Sequence, residues 1–144
     1  MEQQIRSVEV SYFVQQTEDE EKVTGAIRGL VGSEAVEERQ ELEGHFGNKI
    51  VWVRFHLVGE QASACFSRLM SRMPQDSKKQ LLAGIGSSLD EHGSLFMRLN
   101  KQLLLGGEAV STSSDPVRVK VKPRRPPKGD APGFYARLLE EART

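Results

Sequence analysis

Hydrophobic and polar residues alternate at the start of the chain, as they do in a β-strand with one buried face. The apolar positions are Val8, Val10, Tyr12 and Val14, and the positions between them are Ser7, Glu9, Ser11 and Phe13. Thr17 and Glu20 follow at the spacing of a capping box, which predicts the start of a helix. Apolar residues then recur at helical spacing up to Gly32, which predicts the helix end.

Residues 34–58 have the pattern of a β-hairpin. The first arm, EAVEERQELE, is polar, so we expect it at a sheet edge or on an exposed face. The glycines of GHFGN favour the chain reversal. The second arm, KIVWVRFHLV, has one apolar face, formed by Val51, Val53, Phe55 and Leu57. Its other face mixes apolar with cationic groups: Ile50, Trp52, Arg54 and His56.

Two helices and two more strands are predicted after the hairpin. A helix over residues 60–73 carries an apolar stripe that contains Cys65, and Pro74 ends it. We interpret Cys65 as a small buried hydrophobe. A second helix begins near Asp76 or Ser77 and is expected to bury Leu81, Leu82, Ile85 and Leu89. The stretch SLFMRLNK predicts a strand, QLLLGGEAVSTSSDP a loop, and VRVKVK a final strand that alternates valines with Arg118, Lys120 and Lys122.

The predicted order is therefore β-α-β-β-α-α-β-β, over residues 1–122. Helices inserted into a mostly antiparallel sheet indicate an α+β, two-layer domain with the helices on one face. Its expected core residues on three of the strands are Val51, Val53, Phe55, Leu95, Met97, Leu99, Val117 and Val119. Residues 123–144 form a basic, proline-rich linker and a short amphipathic helix. The pattern leaves open whether this tail docks on the domain or extends as a flexible arm.

Composition narrows the class of protein. The 144 residues are 38% hydrophobic and 28% charged, which is compatible with a packed core. No apolar run is long enough to span a membrane, and MEQQIRSVEV does not resemble a signal peptide. The single cysteine cannot form an internal disulfide. We therefore expect a soluble, cytoplasmic protein that does not act at a membrane.

The net charge of zero hides a strong polarity along the chain. Residues 1–43 hold eleven acids and four bases, whereas residues 116–128, PVRVKVKPRRPPK, hold six bases and no acid. A clustered positive field attracts phosphates, so this distribution favours an anionic partner on the C-terminal side. The alternative is a solvated surface that faces an acidic segment of the same chain.

Residues that would support catalysis are sparse. The histidines, at positions 45, 56 and 92, are not spaced like metal ligands, and no nucleophile elbow, Walker loop or dinucleotide fingerprint occurs. Cys65 lies on an apolar helix stripe, which argues against a nucleophilic role. The sequence therefore favours a protein that is not an enzyme and needs no cofactor or metal.

The cationic positions of the strands offer a better candidate site. If the aliphatic positions face the helices, the opposite sheet face presents Arg54, Arg98, Arg118, Lys120 and Lys122. Trp52, His56 and Phe96 would lie nearby, although Trp52 could equally be core under the tail helix. Cations that hold phosphates and aromatic rings that stack on bases are suited to structured or single-stranded RNA. A solvated face whose charges prevent aggregation is the alternative.

Three motifs resemble those of a known family. QQTEDEEKV, EGHFGNKI and LFMRLNKQLLLGG, the last before DPVRVKV, are similar to an archaeal family of small predicted RNA-binding proteins, over residues 5–122. That family is grouped by prediction with exosome-associated components. Its fold is like that of the large-subunit ribosomal protein that binds 5S ribosomal RNA. The resemblance implies an α+β fold and an RNA partner, and it brings no established catalytic or metal site.

The carry-over from this family is limited to matching positions. Its helix start matches Thr17, Glu18 and Asp19, and its hairpin turn matches Gly44, Gly47 and Asn48; folding alone accounts for these. Its R-L-x-K-Q run matches Arg98, Lys101 and Gln102, for which we expect a functional role because a strand end seldom needs this set for folding. The predicted RNA-binding residues are Arg54, Arg98, Lys101, Gln102, Arg118, Lys120, Lys122, Arg124, Arg125 and Lys128.

The sequence thus predicts a non-catalytic RNA-binding protein of RNA-processing or ribosome-related assemblies, with other RNA-processing proteins as further partners. A protein-interaction module that docks through the acidic strand or the tail is the first alternative. A small nucleotide hydrolase is a weaker one.

Overall fold

The computed structural model describes residues 4–112, 114–124 and 131–141, and its centre is a five-stranded sheet. The strands are β1 (Ile5–Val14), β2 (Val36–Glu43), β3 (Lys49–Val58), β4 (Leu95–Asn100) and β5 (Pro116–Pro123). Their order across the sheet is β2-β3-β1-β5-β4, and every neighbouring pair is antiparallel. The first strand of the chain is therefore the central strand of the sheet.

Alternation along the strands separates a core face from an open face. The strand residues of the core face are buried with the helix stripes in a single cluster. This cluster contains every predicted core residue, namely Val51, Val53, Phe55, Leu95, Met97, Leu99, Val117 and Val119. The prediction of strand parity is therefore confirmed. The opposite positions form the open face, which carries the charged and aromatic side chains of β3, β1, β5 and β4.

The helices form the second layer of the α+β fold. They are α1 (Glu20–Val31), α2 (Gly59–Ser71), α3 (Gln75–Ala83), α4 (Lys101–Leu105) and α5 (Ala131–Glu141). Helices α1 and α2 contact each other, and α2 lies mainly against β1. Buried apolar residues of α1, α2 and α3 join the core cluster from this side. The two-layer class and the predicted order of the five strands and of α1, α2 and α3 are confirmed.

Three local predictions need correction. The N-cap of α1 is Asp19, whose Oδ1 accepts hydrogen bonds from the amides of Glu21 and Lys22, so the capping box from Thr17 does not form. Aspartate is as good an N-cap as threonine, and it leaves a helix that begins at Glu20. The α3 helix ends at Gly84, and a short 3₁₀ turn over residues 85–88 follows it. Finally, the stretch predicted as a loop begins with α4, which the Asn100 side chain caps.

The β2–β3 hairpin extends the sheet on the acidic side of the molecule. All eight residues of β2 are exposed, as expected of a polar edge strand. Its charged side chains on the core side contact α1: Glu37 pairs with Arg28, and Arg39 donates two hydrogen bonds to Glu20 at 2.7 and 2.8 Å.

The turn between β2 and β3 contains Gly47, whose φ of 78° lies in the left-handed region that favours glycine.

The C-terminal helix α5 docks on the domain beside α3. Tyr135 is fully buried, and its hydroxyl donates to the backbone oxygen of Gly93 at 2.5 Å. Leu138 and Leu139 are buried in the same core. The described part of the tail therefore belongs to the helical layer, and Trp52 is not covered by it but lies half-buried on the open face.

Cys65 provides a test of this packing. The side chain is 1% exposed, and burial raises the pKa of its thiol to about 11, so the reactive thiolate is scarce at neutral pH. We expect Cys65 to react with a disulfide reagent only when the protein unfolds, so that labelling follows the global urea transition. Rapid labelling of the native protein at pH 7 would contradict this packing of α2.

Candidate nucleic-acid interface

The strand register arranges the side chains of the open face in rows. In one row Arg54 of β3 lies opposite Ser11 of β1, Ser11 lies opposite Arg118 of β5, and Arg118 lies opposite Arg98 of β4. In the next row His56, Glu9, Lys120 and Phe96 follow each other in the same strand order. Lys122 continues the positive charge toward the end of β5. We call these five cations, Arg54, Arg98, Arg118, Lys120 and Lys122, the basic face.

Aromatic rings accompany three of these cations. The Arg54 guanidinium carbon lies 5.6 Å from the centre of the Trp52 ring. The Arg118 guanidinium carbon lies 5.9 Å from the centre of the Phe13 ring, and Lys120 Nζ lies 5.2 Å from that of Phe96. Distances below about 6 Å are those of cation–π contacts. Phe13 is an aromatic member that the sequence prediction did not include, although its position on the polar parity of β1 indicates this face.

Within the basic face, Arg54 forms a salt bridge with an acidic residue. Its Nη2 donates to Glu38 Oε1 of β2 at 2.6 Å, while its buried Nε has no hydrogen-bond partner among the described residues. A buried donor without a partner is unfavourable by roughly 1–3 kcal/mol, so a phosphate oxygen or a water that reached it would be favoured. The guanidinium is thus oriented by one carboxylate, and its buried Nε could bind a second anion only after the side chain moves.

The acidic groups within the face are few. Glu9 lies at its centre, opposite both His56 and Lys120, and its Oε1 is 3.4 Å from His56 Nδ1. Glu38 lies at the β2 side. The field over β5 and β4 therefore stays positive, because neither strand carries an acidic residue.

A shallow depression of about 230 Å³ continues the basic face at the end of β5. Its cationic lining comprises Arg6, Lys120, Lys122 and Arg124. Across from them, Asp90 Oδ1 accepts hydrogen bonds from the amides of His92 and Ser94, at 2.9 and 2.8 Å. Burial opposes the ionisation of Asp90, but these amide bonds outweigh it and lower the pKa of its carboxyl. Four cations around one depression make it a suitable seat for a phosphate group.

Lys101 lies elsewhere, and its predicted place on the same surface is wrong. Its side chain is 2% exposed, and Nζ donates to the backbone oxygen of Phe13 at 2.6 Å, to Glu18 at 2.9 Å and to Asp115 at 2.8 Å. An ammonium has only three donors, so none remains for a phosphate. We expect folding to need this residue, since Lys101 joins the end of β1 to the starts of α1 and β5.

The other predicted residues differ in their position. Arg98 is exposed on the basic face, and Arg124 is exposed where β5 ends, with its amide bonded to the Gln4 carbonyl at 2.9 Å. Gln102 is exposed on α4, beyond the end of β4. Arg125 and Lys128 lie outside the described residues.

The described histidines do not assemble into a site. His45 lies in the hairpin turn, His56 on the basic face and His92 in the loop before β4. Within the described ranges, no cluster of three or more His, Cys, Asp or Glu side chains could hold a metal ion. None of the helices in those ranges is both long and apolar enough to cross a membrane.

Comparison with known proteins identifies the family of this chain. A family model described as RNA binding matches residues 7–123, which is nearly the whole sheet domain. The chain belongs to this family. It is 31% identical over 126 residues to the RNA-binding protein PAB1135 of Pyrococcus abyssi, covering 83% of this chain and 82% of that one. It is 30% identical to the UPF0201 protein MK0399 of Methanopyrus kandleri, covering 85% and 78%.

Solved structures share the fold. The DUF54 protein Mth689 of Methanothermobacter thermautotrophicus superposes with a TM-score of 0.72 at 28% identity, over 94% of this chain and 98% of that one. Protein SSO0741 of Sulfolobus solfataricus gives a TM-score of 0.77 at 19% identity, over 94% and 98%. The α+β architecture is thus common to archaeal relatives.

The role of Lys101 can be tested by substitution. We expect Lys101→Met to lower the free energy of unfolding by about 3 kcal/mol, because Glu18 and Asp115 lose their shared cation. Urea denaturation followed by circular dichroism measures the change. Lys79→Met on the exposed side of α3 is the control, with an expected change within about 0.5 kcal/mol. Equal stabilities of the two variants would contradict a structural role for Lys101.

Proposed function

We propose that this protein binds RNA through the basic face and catalyses no reaction on it. The observation that carries the proposal is the register, which gathers five cations from three strands onto the sheet face opposite the helices. Arg98 and Arg118 are direct cross-strand neighbours, an arrangement that is unfavourable unless an anion or water lies between them. A phosphodiester backbone supplies such anions at regular intervals.

Each part of the face has a role in this proposal. Arginine forks bind phosphate oxygens in a bidentate manner, which suits Arg54, Arg98 and Arg118. Lys120 and Lys122 add point charges that draw the RNA toward the depression lined by Arg6 and Arg124. Arg125 and Lys128 extend the charge along the sequence. Membership of an RNA-binding family supports the nature of the partner. The resemblance to exosome-associated proteins leads us to propose an RNA-processing or ribosome-related assembly as the context.

A second function, docking of a protein partner, is favoured by one separate observation. The edge strand β2 is wholly exposed and acidic, and Val36 on its open side is 62% exposed. An exposed edge can accept a further strand, and its glutamates would select a basic partner segment. Binding at β2 would not compete with RNA on β5 and β4, so the two functions are compatible.

Substitution of the β5 cations tests the RNA-binding proposal. We expect the triple variant Arg118→Gln, Lys120→Gln and Lys122→Gln to bind RNA more weakly, whatever its sequence. The slope of log affinity against log salt should flatten by about two, since each contacted phosphate contributes roughly 0.7 for a single strand. Fluorescence anisotropy over a salt series measures both quantities.

The matched control removes the same charge from the helical layer. The variant Lys22→Gln, Lys79→Gln and Arg137→Gln changes three exposed helix positions, and its affinity should stay near that of the wild type. Both variants should remain folded, because none of the six side chains is buried and surface substitutions seldom change stability by more than about 0.5 kcal/mol each. A folded β5 variant with unchanged affinity and slope would show that the basic strand is only a solvated surface.

Glu9 offers a test in the opposite direction. This carboxylate lies among the cations, so Glu9→Gln should strengthen RNA binding roughly two- to fivefold at low salt by removing repulsion of about 1 kcal/mol or less. Glu21→Gln on the exposed side of α1 is the control and should have no effect. Weaker binding by Glu9→Gln would indicate that Glu9 positions His56 or Lys120 rather than repelling the ligand.

A further inference from the structure

The aromatic rings of the open face lie on both sides of the row of arginines. Trp52 of β3 lies directly opposite Phe13 of β1, one step along the strands from the row that contains Arg54 and Arg118. Phe96 lies one step beyond that row, beside Lys120. Alternate residues of a strand are about 7 Å apart, so aromatic groups occur on both sides of the arginine row.

We propose that the open face takes single-stranded RNA, with unpaired bases stacked on Trp52, Phe13 and Phe96 and phosphates held by the arginine row between them. The inference rests on the proposed function and specifies which RNA the same surface recognises. Phosphate contacts alone would not require aromatic rings on this face. A solvated face would not favour them either, since an exposed ring leaves apolar surface in water.

The centre of the arginine row carries a short side chain between two cations. Ser11 separates Arg54 from Arg118, and its short side chain lies between two long ones. The backbones of the two arginines are two strand spacings, about 10 Å, apart. The Nε of Arg54 in the same row is buried and has no partner among the described residues, so it becomes available to an anion only when the side chain moves. A phosphate above Ser11 would thus have a guanidinium on either side.

The rings are placed where a base could reach them. Phe96 is 42% exposed on the edge strand β4, while Trp52 and Phe13 are half-buried on the open side of β3 and β1. Within the described part of the chain, each ring has a cation 5.2–5.9 Å from its centre. An arginine that turns toward a phosphate would leave its ring available to a base.

A double helix cannot use this surface in the same way. Its bases are stacked on each other, so only phosphates, 2′-hydroxyls and base edges are accessible to a sheet. Unpaired bases present their faces, and stacking of one base on an aromatic side chain is worth about 1–3 kcal/mol, or roughly 5- to 150-fold in affinity. The aromatic rows therefore predict a preference for single strands that the basic face alone would not give.

The wild-type chain provides the first measurement, since Trp52 is its only tryptophan. We expect single-stranded RNA of about 12 nucleotides, a typical site length, to quench its fluorescence. Inorganic polyphosphate and an abasic strand of equal length should bind without this quenching. The single strand should bind at least about tenfold more tightly than the abasic strand or the duplex, as one stacked base would give.

Variants provide the second measurement. The double variant Phe13→Leu and Trp52→Leu, and Phe96→Leu by itself, remove ring faces but retain apolar bulk. Each should weaken binding of single strands roughly fivefold or more, with an unchanged salt slope because no charge is removed. Phe46→Leu is the matched control: Phe46 is 92% exposed in the hairpin turn, away from the basic face, and its loss should not matter.

The outcomes separate this inference from the proposed function. Equal binding of single-stranded, abasic and duplex RNA, with the salt slope still reduced by the β5 variant, would overturn base stacking and leave phosphate binding intact. Absence of binding to every RNA tested would overturn the proposed function itself. The wild-type comparison of intact with abasic strands decides the question even if a ring variant fails to fold.

Discussion

The register of the central strand β1 is the constraint on which the rest of the molecule depends. This strand is hydrogen-bonded on both sides, to β3 and to β5, so its alternation fixes the faces of both neighbours. Val8, Val10 and Tyr12 are almost fully buried on one side, and a slip of one residue would expose all of them. The cations of β3 and β5 share a surface because this hydrophobic requirement determines which side chains point away from the helices.

Lys101, which directly follows β4, connects the end of β1 with the start of β5. Its ammonium donates hydrogen bonds to the backbone oxygen of Phe13 near the end of β1, to the carboxylate of Glu18 before α1, and to the carboxylate of Asp115 just before β5. Asp115 has a φ of 43°, in the left-handed region that non-glycine residues seldom adopt, and its ion pair with Lys101 helps to hold it there. This lysine is thus structural, although it lies next to residues with a candidate function.

The strands were the predictable part of the fold, because their information is local. A period of two over six to ten residues gives both the strand and its buried face, which is why the cores of β3, β4 and β5 followed from the sequence. The partners of Lys101 lie 88, 83 and 14 positions away along the chain, so no local pattern reveals them. One signal did exist: position 101 continues the parity of Leu95, Met97 and Leu99, which indicates a buried side chain.

The candidate site shows the same division between local and distant information. Alternation predicted which cations share a face, but the order of the strands was needed to place Arg98 beside Arg118 and Phe13 beside Trp52. The helix start at Asp19 and the short helix α4 were missed for another reason. Several residues near each boundary can cap a helix, and the choice among them depends on side-chain partners that the chain supplies from elsewhere.

The charge of the strands changes sign across the sheet, from the acidic edge strand β2 to the basic strand β5. The edge strand β2 carries four glutamates and one arginine, whereas β5 carries three cations and no acid. Glu38 of β2 forms a salt bridge with Arg54 of β3 at the boundary between these regions. In the RNA-binding mode proposed above, Glu38 would repel an RNA strand from the β2 side of the open face, and the cations of β5 and β4 would attract it. The overall neutrality of the chain conceals this gradient, and the order of the strands, with β1 between the acidic hairpin and the basic strand, produces it.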